Sequence, residues 1–346
     1  MSAGANKQAM TLAAPDPDTI QRIVEDIGAP KYRAKQVLRW IYNRRAQSFD
    51  EMTDLPADLR AALSERIAVL PLKIARMQTS QSDDTSKFLF DLLDGNRIES
   101  VFLRDGRRKI ACISTQVGCA LACRFCATGK GGFVRDLSPA EIVHQVLAIE
   151  RARERLTGIV FMGMGEALLN TDAVRQAIEI ITSKDGLGMS SKRITVSTSG
   201  IVPGIRHLAG NRAKVNLAWS LNSPFNAERS KLMPVNSRHP IEQVVEALKE
   251  YIAVCGREVS VEYVLLDGVN MSRDHAEGLA AIARDIGAKV NLISYNQVED
   301  ARFATPSPEA VVRFRDRVRA EGAFVTIRFR RGRDIAAACG QLRARG

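Results

Sequence analysis

From about residue 109 onward, apolar strand-like segments alternate with amphipathic helical segments. This alternation is typical of a parallel sheet, because a crossover between parallel strands must be long enough to hold a helix. The candidate strands are 109–115, 158–163, 193–198, 215–221, 259–266 and 288–295, with a further extended segment at 324–330. Six such βα units favour a partial (β/α)6 barrel over a closed eightfold barrel, with an open doubly wound sheet as the alternative.

Helical segments fill the intervals between these strands, so the predicted fold class is α/β. The clearest helix start is at Ser138, which can cap a helix, with Pro139 in the first helical position and Glu141 completing a capping box. Further helices are predicted near 172–183, 241–254, 273–286 and 308–321.

The segment before this α/β region follows other patterns. Residues 1–16 are small and polar, which predicts a flexible N-terminus. Short amphipathic helices are predicted over 17–75, as a small basic accessory domain, and a β-meander linker over 76–108, before the main domain at 109–346. The turn signals of the meander are Asp94-Gly95 and Asp105-Gly106.

The segment 31–45 is a candidate contact surface within the small domain. Its apolar positions, which are predicted to face a small core, are Val37, Leu38, Trp40 and Ile41. Its basic positions, which are predicted to face outward, are Lys31, Arg33, Lys35, Arg39, Arg44 and Arg45. The chain carries 50 Lys and Arg against 39 Asp and Glu, a net charge of +11, which favours a polyanionic partner. A solvated basic face and an RNA-docking patch both fit this segment.

The distribution of apolar residues indicates a cytoplasmic protein. The chain is 45% hydrophobic, but no run approaches the roughly 20 apolar residues of a membrane helix. The polar start MSAGANKQ also lacks the apolar core of a signal peptide. We therefore expect no membrane association, and we expect a monomer.

Cysteine spacing gives the strongest indication of chemistry. The six cysteines are Cys112, Cys119, Cys123, Cys126, Cys255 and Cys339. A cluster of cysteines in a chain without signs of secretion indicates metal or redox chemistry rather than structural disulfides. Cys255 lies near a predicted helix end and is interpreted as a buried structural residue.

Cys119, Cys123 and Cys126 form a C-x-x-x-C-x-x-C motif in the loop after the first parallel strand. Three thiolates can hold three irons of a [4Fe-4S] cluster and leave the fourth iron open. An open iron can bind S-adenosylmethionine and pass an electron to its sulfonium, which yields a 5′-deoxyadenosyl radical. The alternative is a structural zinc site that includes Cys112, although zinc sites usually pair C-x-x-C units.

Polar residues also follow the later strands. In β/α proteins ligands bind beyond the carboxyl ends of the strands, so these residues are expected to converge above the cysteine loop. They are Gly163, Gly165 and Glu166 after the second strand, Ser197 in the third, Ser220, Leu221 and Asn222 after the fourth, and Asn296 after the sixth. The glycines would allow close backbone approach, and Glu166 could accept from the ammonium of the cofactor.

The motifs taken together resemble a known family. They are PKYRAKQVLRWIY, FDEMTDLP, QVGCALACRFCATG, VFMGMGEALLN, ITVSTSG, RSKLMPVN, VEYVLLDGVN and GRDIAAACGQL. Along nearly its whole length the chain resembles the radical S-adenosylmethionine RNA adenine methyltransferases, which comprise the C2-directed RlmN enzymes and the C8-directed Cfr enzymes. The RlmN branch is the better match.

The resemblance implies methylation of adenosine C2 in 23S ribosomal RNA, at the peptidyl transferase centre, with tRNA as a further substrate. It implies a [4Fe-4S] cluster, two S-adenosylmethionine molecules per turnover, and a reducing partner such as flavodoxin or ferredoxin. Cys339 matches the residue that is methylated and then loses hydrogen to the radical. Cys112 matches the thiol that resolves the protein–RNA crosslink through a disulfide with Cys339, and Glu99 matches the proton acceptor.

The resemblance also assigns cofactor contacts and leaves alternatives. The matching positions are Gly165, Glu166, Ser197, Ser220, Leu221, Asn222 and Asn296. Many relatives have proline at the position of Ala167 and histidine at that of Asn222, so the contact at Asn222 is in question. The alternatives are a C8-directed enzyme, a zinc-containing RNA-binding protein, and a radical enzyme that acts on a peptide or small molecule.

Three interpretations rest on pattern alone. Glu99, a carboxylate within an apolar strand, is predicted to lie on the exposed face of an edge strand. Without the resemblance, Cys339 is predicted to be a buried helical cysteine. The arginines at 328, 330, 331 and 333 are interpreted either as a guide for phosphates or as a solvated C-terminal face.

Overall fold

The computed structural model describes residues 15–298, 303–328, 331–332 and 334–343. Within them, ten strands form one large sheet and two short strands form a separate hairpin. In chain order the strands are β1 (Leu72–Thr79), β2 (Ser86–Leu92), β3 (Arg97–Asp105), β4 (Arg108–Cys112), β5 (Gln116–Gly118), β6 (Phe133–Asp136), β7 (Gly158–Phe161), β8 (Ile194–Thr198), β9 (Asn216–Ser220), β10 (Val259–Leu265), β11 (Lys289–Ser294) and β12 (Val325–Arg328). The hairpin consists of β5 and β6.

The large sheet has an antiparallel part and a parallel part. Its strand order is β1-β2-β3-β4-β7-β8-β9-β10-β11-β12. Strands β1 to β4 pair antiparallel, whereas β4 and β7 to β12 pair parallel. This parallel part confirms the predicted α/β partial barrel. The meander predicted as a linker extends the same sheet.

Helices connect the parallel strands and form the small N-terminal domain. They are α1 (Pro17–Asp26), α2 (Tyr32–Leu38), α3 (Ala57–Ser64), α4 (Ala127–Lys130), α5 (Pro139–Ala152), α6 (Thr171–Thr182), α7 (Val202–Gly210), α8 (Asn226–Leu232), α9 (Ile241–Cys255), α10 (Arg273–Asp285) and α11 (Pro308–Ala320). Helix α5 begins with the predicted capping box: Glu141 N donates to Ser138 Oγ at 3.2 Å and Ser138 N donates to Glu141 Oε2 at 2.9 Å.

The N-terminal domain packs along one face of α5. The backbone N of Ala140 donates to Asp16 Oδ1 at 2.7 Å, and the rings of Tyr42 and His144 lie 5.5 Å apart. Near the end of α5, Arg45 forms an ion pair with Glu150 at 2.6 Å. Since α5 runs antiparallel to the strands, this last contact places Arg45 toward the amino-terminal end of the barrel.

A cavity of about 1090 Å³ lies inside the parallel sheet. Val101 of β3 and Thr326 of β12 both line it, although these strands are far apart in the sheet order. The sheet therefore curves around the cavity, as a partial barrel requires. No helix in the described part of the chain has the length and apolar character needed to cross a bilayer.

Candidate active site

The cysteine loop joins β5 to α4 and is fixed by backbone contacts. Cys119 N donates to the carbonyl of Gly132 at 2.7 Å, and Cys126 N donates to that of Cys123 at 3.1 Å. Gly118 adopts φ +78°, and a Cβ atom there would lie 2.0 Å from the Gly132 oxygen. Any side chain at position 118 would clash with this oxygen, so the start of the loop requires glycine.

The environment of the thiols in this loop disfavours their thiolate form in the protein alone. Burial raises the pKa of Cys119 to about 11 and raises the pKa of Cys123 still further. Neighbouring thiols contribute to both shifts, which places the three sulfurs of the motif close to one another. Metal ligation requires thiolates, and iron would supply the positive charge that stabilises them. The three residues therefore fit a [4Fe-4S] cluster.

No set of three potential ligands, the loop cysteines included, forms a site for a single ion among the described residues. In residues 15–298 and the other described segments, no three His, Cys, Asp or Glu side chains lie close enough together to hold one metal ion. The six cysteines are free thiols.

The loop after β7 packs directly against the segment that follows β4. A Cβ atom on Gly163 would lie 2.6 Å from Ser114 Oγ, and one on Gly165, at φ +101°, would lie 2.6 Å from Gln116 Cβ. Met164 N donates to Ser114 Oγ at 2.8 Å. Both glycines are thus required by contacts within the protein, whereas the sequence suggested cofactor approach as their reason.

Glu166 is the last residue of this loop and lies close to the cysteines. The residue is 4% exposed, and its carboxylate accepts hydrogen bonds from Ser199 N at 2.8 Å and from Leu168 N at 3.2 Å. Burial raises the pKa of Glu166, and these hydrogen bonds oppose that shift. The carboxylate influences the pKa of Cys119 and Cys123, so the predicted convergence of this loop with the cysteine loop is present.

The remaining predicted cofactor positions lie at the carboxyl ends of β8, β9 and β11. Ser197 and Ser220 are half-buried, while Leu221 is fully buried. Asn296 lines the cavity, and its Oδ1 is buried without a hydrogen-bond partner among the described residues. An unpartnered buried oxygen of this kind fits a ligand donor.

Asn222, one of the predicted cofactor positions, forms hydrogen bonds within the protein itself. It adopts φ +61°, a conformation that asparagine tolerates better than most residues. Its Oδ1 accepts from Val264 N at 2.8 Å, and its Nδ2 contacts Met233 Sδ at 3.1 Å. The side chain therefore joins the end of β9 to β10.

Arg229 is a site residue that the sequence analysis did not single out. It is fully buried and donates to the carbonyls of Leu221, Ser220 and Ser199, at 3.0, 3.1 and 2.5 Å. Its charge influences the pKa of Cys123, and burial lowers its own pKa to about 10. Arg229 thus joins the ends of β8 and β9 beneath the cysteine loop. In the sequence, the one indication that Arg229 belongs to the site was its position in the motif RSKLMPVN.

Cys339 and Cys112 line the same cavity. Cys339 is accessible within the cavity and lies in a turn, so the pattern-based prediction of a buried helical cysteine is wrong. The turn is attached to the cysteine loop, because Ala127 N donates to the carbonyl of Gly340 at 2.7 Å. Cys112 is buried at the end of β4, and the charge of Cys339 contributes to its raised pKa after burial itself. The two thiols are thus neighbours.

Glu99 is buried, so its predicted exposure on an edge strand is also wrong. It is 4% exposed because β3 lies between β2 and β4 rather than at an edge. Its Oε2 accepts from Arg343 N at 2.8 Å, and its Oε1 lies 3.2 Å from Lys87 Nζ. The C-terminal segment therefore covers the carboxylate.

Two of the four C-terminal arginines lie in the described structure. Arg328 lines the cavity 3.5 Å from Glu262, and Arg331 Nη2 lies 2.8 Å from Asp105 Oδ1. Arg330 and Arg333 lie outside the described residues, as does most of the predicted N-terminal segment 1–16.

Comparisons with known proteins agree with this geometry. Residues 113–278 match the radical SAM superfamily, whose members use a [4Fe-4S] cluster and S-adenosylmethionine. Residues 11–69 match the ribosomal RNA large subunit methyltransferase N-terminal domain.

Full-length relatives extend the match. The probable dual-specificity RNA methyltransferase RlmN of Rhodopirellula baltica is 45% identical, over 94% of this chain and 88% of the relative. The dual-specificity RNA methyltransferase RlmN of Anaeromyxobacter dehalogenans is 44% identical, over 95% of this chain and 90% of the relative.

A solved structure shows the same fold. The crystal structure of a radical SAM methyltransferase from Sphaerobacter thermophilus superposes with a TM-score of 0.89 at 43% identity, over 95% of this chain and 98% of that one. Fold, cysteine loop and sequence identity lead to one assignment. The chain belongs to the RlmN family of radical S-adenosylmethionine enzymes.

Proposed function

We propose that this protein is an RNA methyltransferase that adds a methyl group to C2 of an adenosine in 23S ribosomal RNA, at the peptidyl transferase centre, and in tRNA. The observation that carries the proposal is the meeting of two free thiols, Cys339 and Cys112, with the cysteine loop at one cavity. Its relatives, named dual-specificity RNA methyltransferases, support the RNA substrate.

Each loop residue has a proposed role. Cys119, Cys123 and Cys126 ligate three irons of the cluster. When bound and reduced by a donor such as flavodoxin or ferredoxin, the cluster supplies the 5′-deoxyadenosyl radical by cleaving S-adenosylmethionine. The cofactor contacts are proposed at Gly165, Glu166, Ser197, Ser220, Leu221, Asn222 and Asn296.

Cys339 is proposed to carry the carbon. Its thiolate displaces the methyl group from a first S-adenosylmethionine, so a sulfur–carbon bond forms as the sulfonium bond breaks. The methylated side chain then loses a hydrogen atom to the radical, and its carbon adds to the adenine ring. An electron-poor ring carbon has no lone pair for polar transfer from a sulfonium, so a carbon radical is the suitable attacker.

Cys112 and Glu99 are proposed to complete the reaction. Addition leaves an unpaired electron on the ring. Glu99 accepts the proton from the substituted ring carbon, and that electron would return to the oxidised cluster, so that the ring becomes aromatic again. Cys112 forms a disulfide with Cys339 as the sulfur–carbon bond to the RNA breaks, and the released carbon takes up a proton. An external thiol then reduces the disulfide. In this structure the backbone N of Arg343 donates a hydrogen bond to the Glu99 carboxylate. The C-terminal segment must therefore shift before this carboxylate can contact the substrate.

The charge at the cavity mouth supports an RNA substrate. Four basic residues lie at the amino-terminal ends of β4 and β8, at the mouth: Arg107, Arg108, Lys192 and Arg193. They are exposed, and their side chains form no ion pair with any described residue. Free cations of this kind contact phosphates and release counterions. A flipped base can then enter the cavity while its backbone stays at the mouth.

Nucleoside analysis of RNA from cells with and without the gene tests the function. We expect 2-methyladenosine to be present in 23S ribosomal RNA and tRNA with the gene and absent without it. Loss of 8-methyladenosine instead would assign the reaction to C8. Unchanged RNA in the deletion strain would refute the proposal.

A further inference from the structure

A row of polar side chains crosses the inner face of the barrel beside Cys339. Four strands contribute to it in register: Ser220 of β9 lies opposite Glu262 of β10, Glu262 opposite Asn291 of β11, and Asn291 opposite Thr326 of β12. Of these, Glu262, Asn291 and Thr326 line the cavity. Polar groups at this depth are unusual unless they meet a ligand or one another.

Glu262 is the one carboxylate in this row, and only one of its oxygens is used. Its Oε1 accepts from Ser260 Oγ at 2.8 Å and from Asn291 Nδ2 at 2.7 Å. Its Oε2 is buried and has no hydrogen-bond partner among the described residues. Arg328 Nη1 lies 3.5 Å from it, close enough to balance its charge but without forming a hydrogen bond. The side chain is 4% exposed and borders the cavity.

The same carboxylate lies close to the thiol proposed to carry carbon. The charges of Glu262 and Arg328 both act on Cys339, and Arg328 also interacts with Cys112. Glu262 is therefore beside the reacting thiols, while two hydrogen bonds fix its orientation. A hydrogen-bond acceptor held in this way is suited to reading a base that has left its stack.

We propose that the open oxygen of Glu262 accepts a hydrogen bond from the exocyclic amino group of the target adenine and so selects adenine over 6-oxopurines. This inference rests on the proposed function, because it names what recognises the base in that reaction. Adenine presents an amino donor at C6, whereas hypoxanthine and guanine present a carbonyl oxygen. A carboxylate oxygen repels that carbonyl, and a buried acceptor left unpaired is costly.

The variant Glu262→Gln gives a sharp test. The amide oxygen of glutamine can keep the bonds to Ser260 and Asn291, which places an amino donor at the position of the open oxygen. Recognition is thereby inverted, since a donor suits the carbonyl of inosine. The assay compares methylation of synthetic ribosomal RNA fragments that carry either adenosine or inosine at the target position.

We expect the wild-type protein to prefer adenosine. The variant Glu262→Gln should lower the ratio of kcat/KM for adenosine to kcat/KM for inosine roughly 10- to 100-fold, because one hydrogen bond to a charged group has about this effect. The matched control is Glu258→Gln, the same chemical change at the residue just before β10. Glu258 is exposed and paired with Lys289 at 2.9 Å, so this variant should keep the wild-type ratio.

Two results would overturn the proposal while leaving the function intact: equal use of both RNAs by the wild-type protein, or an unchanged ratio in Glu262→Gln. If Glu262 served only as the counterion of Arg328, both substrates would lose activity equally. Should Glu262→Gln lack measurable turnover, the ratio of dissociation constants for the two RNAs replaces kcat/KM. Methylated Cys339, detected by mass spectrometry, confirms folding. A wild-type protein that methylates neither RNA would instead refute the proposed function.

Discussion

At the scale of single residues, the structural surroundings of the cysteines differ in ways that the sequence around them does not show. Cys255 is the buried last residue of α9 and does not line the cavity, whereas Cys112 and Cys339 do. Spacing identified the three loop cysteines, but only the resemblance marked Cys339, because its neighbours give no chemical signal. Glu99 and Glu262 are both carboxylates in apolar strands. Pattern alone cannot tell a buried carboxylate from an exposed one, because burial depends on which strands lie on either side.

Removal of the Cys112 thiol should stop turnover at a covalent stage. In Cys112→Ala we expect at least a tenfold loss of methylated RNA, since nothing remains to attack the sulfur of Cys339. Denaturing gels should show a protein–RNA adduct in its place.

The matched control for this experiment is Cys255→Ala, which removes another buried, free thiol. It should form product at the wild-type rate and leave no adduct. Full product formation by Cys112→Ala would contradict the proposed role of Cys112.

At the scale of elements, the apolar pattern predicted every parallel strand to within a few residues, because apolar and β-branched residues form the majority of each. Helix α7 was not among the predicted helices, since Pro203 and Gly204 interrupt its pattern. The structure explains Gly204: a Cβ atom there would lie 2.6 Å from Leu168 Cβ. Such a requirement comes from tertiary contact and is invisible in the local sequence. The hairpin of β5 and β6 is similarly too short to give a period.

The contact between α5 and the N-terminal domain should weaken in acid. Burial lowers the pKa of His144 from 6.5 to about 4, opposed by its hydrogen bond to Ala140. Because the unfolded state binds the proton more readily, stability is complete above pH 6.5 and falls as the pH drops toward 4. The full effect of this shift is about 3 kcal/mol.

Denaturant unfolding between pH 7 and pH 4.5 measures this effect. The variant His144→Phe, which keeps a ring beside Tyr42, should flatten the pH dependence. The same slope in the variant and the wild type would show that other groups cause it.

At the scale of the whole molecule, charge and cavity determine where RNA is expected to dock. The basic segment 31–45 was one candidate, but Arg45 is paired with Glu150 and Arg44 stacks on Trp40, 4.1 Å from the ring centre. In that segment Lys35 and Arg39 remain exposed without an ion pair to a described residue, whereas four such cations lie together at the cavity mouth. Sequence could not predict this, because the four mouth residues come from two distant segments. The N-terminal domain extends toward the same end of the barrel through Arg45, so both can contact one RNA.

Neutralising the mouth should weaken RNA binding without harming the cysteine chemistry. For the double variant Arg108→Gln and Arg193→Gln we expect about a tenfold higher dissociation constant at moderate salt. The slope of log Kd against log salt should fall by about two, because two phosphate contacts are lost. Methylation of Cys339 in the absence of RNA should be unchanged. An unaltered salt slope would place the RNA elsewhere.

The central claim is that Cys339 passes a carbon to the RNA through a radical. It is tested most directly by anaerobic turnover of the reconstituted protein with S-adenosylmethionine that carries a trideuterated methyl group. The cysteine-bound carbon must give one hydrogen to the radical, so mass spectrometry of the methyladenosine should find two deuterium atoms in its methyl group. Retention of all three would mean direct transfer of an intact methyl group, and would contradict the account.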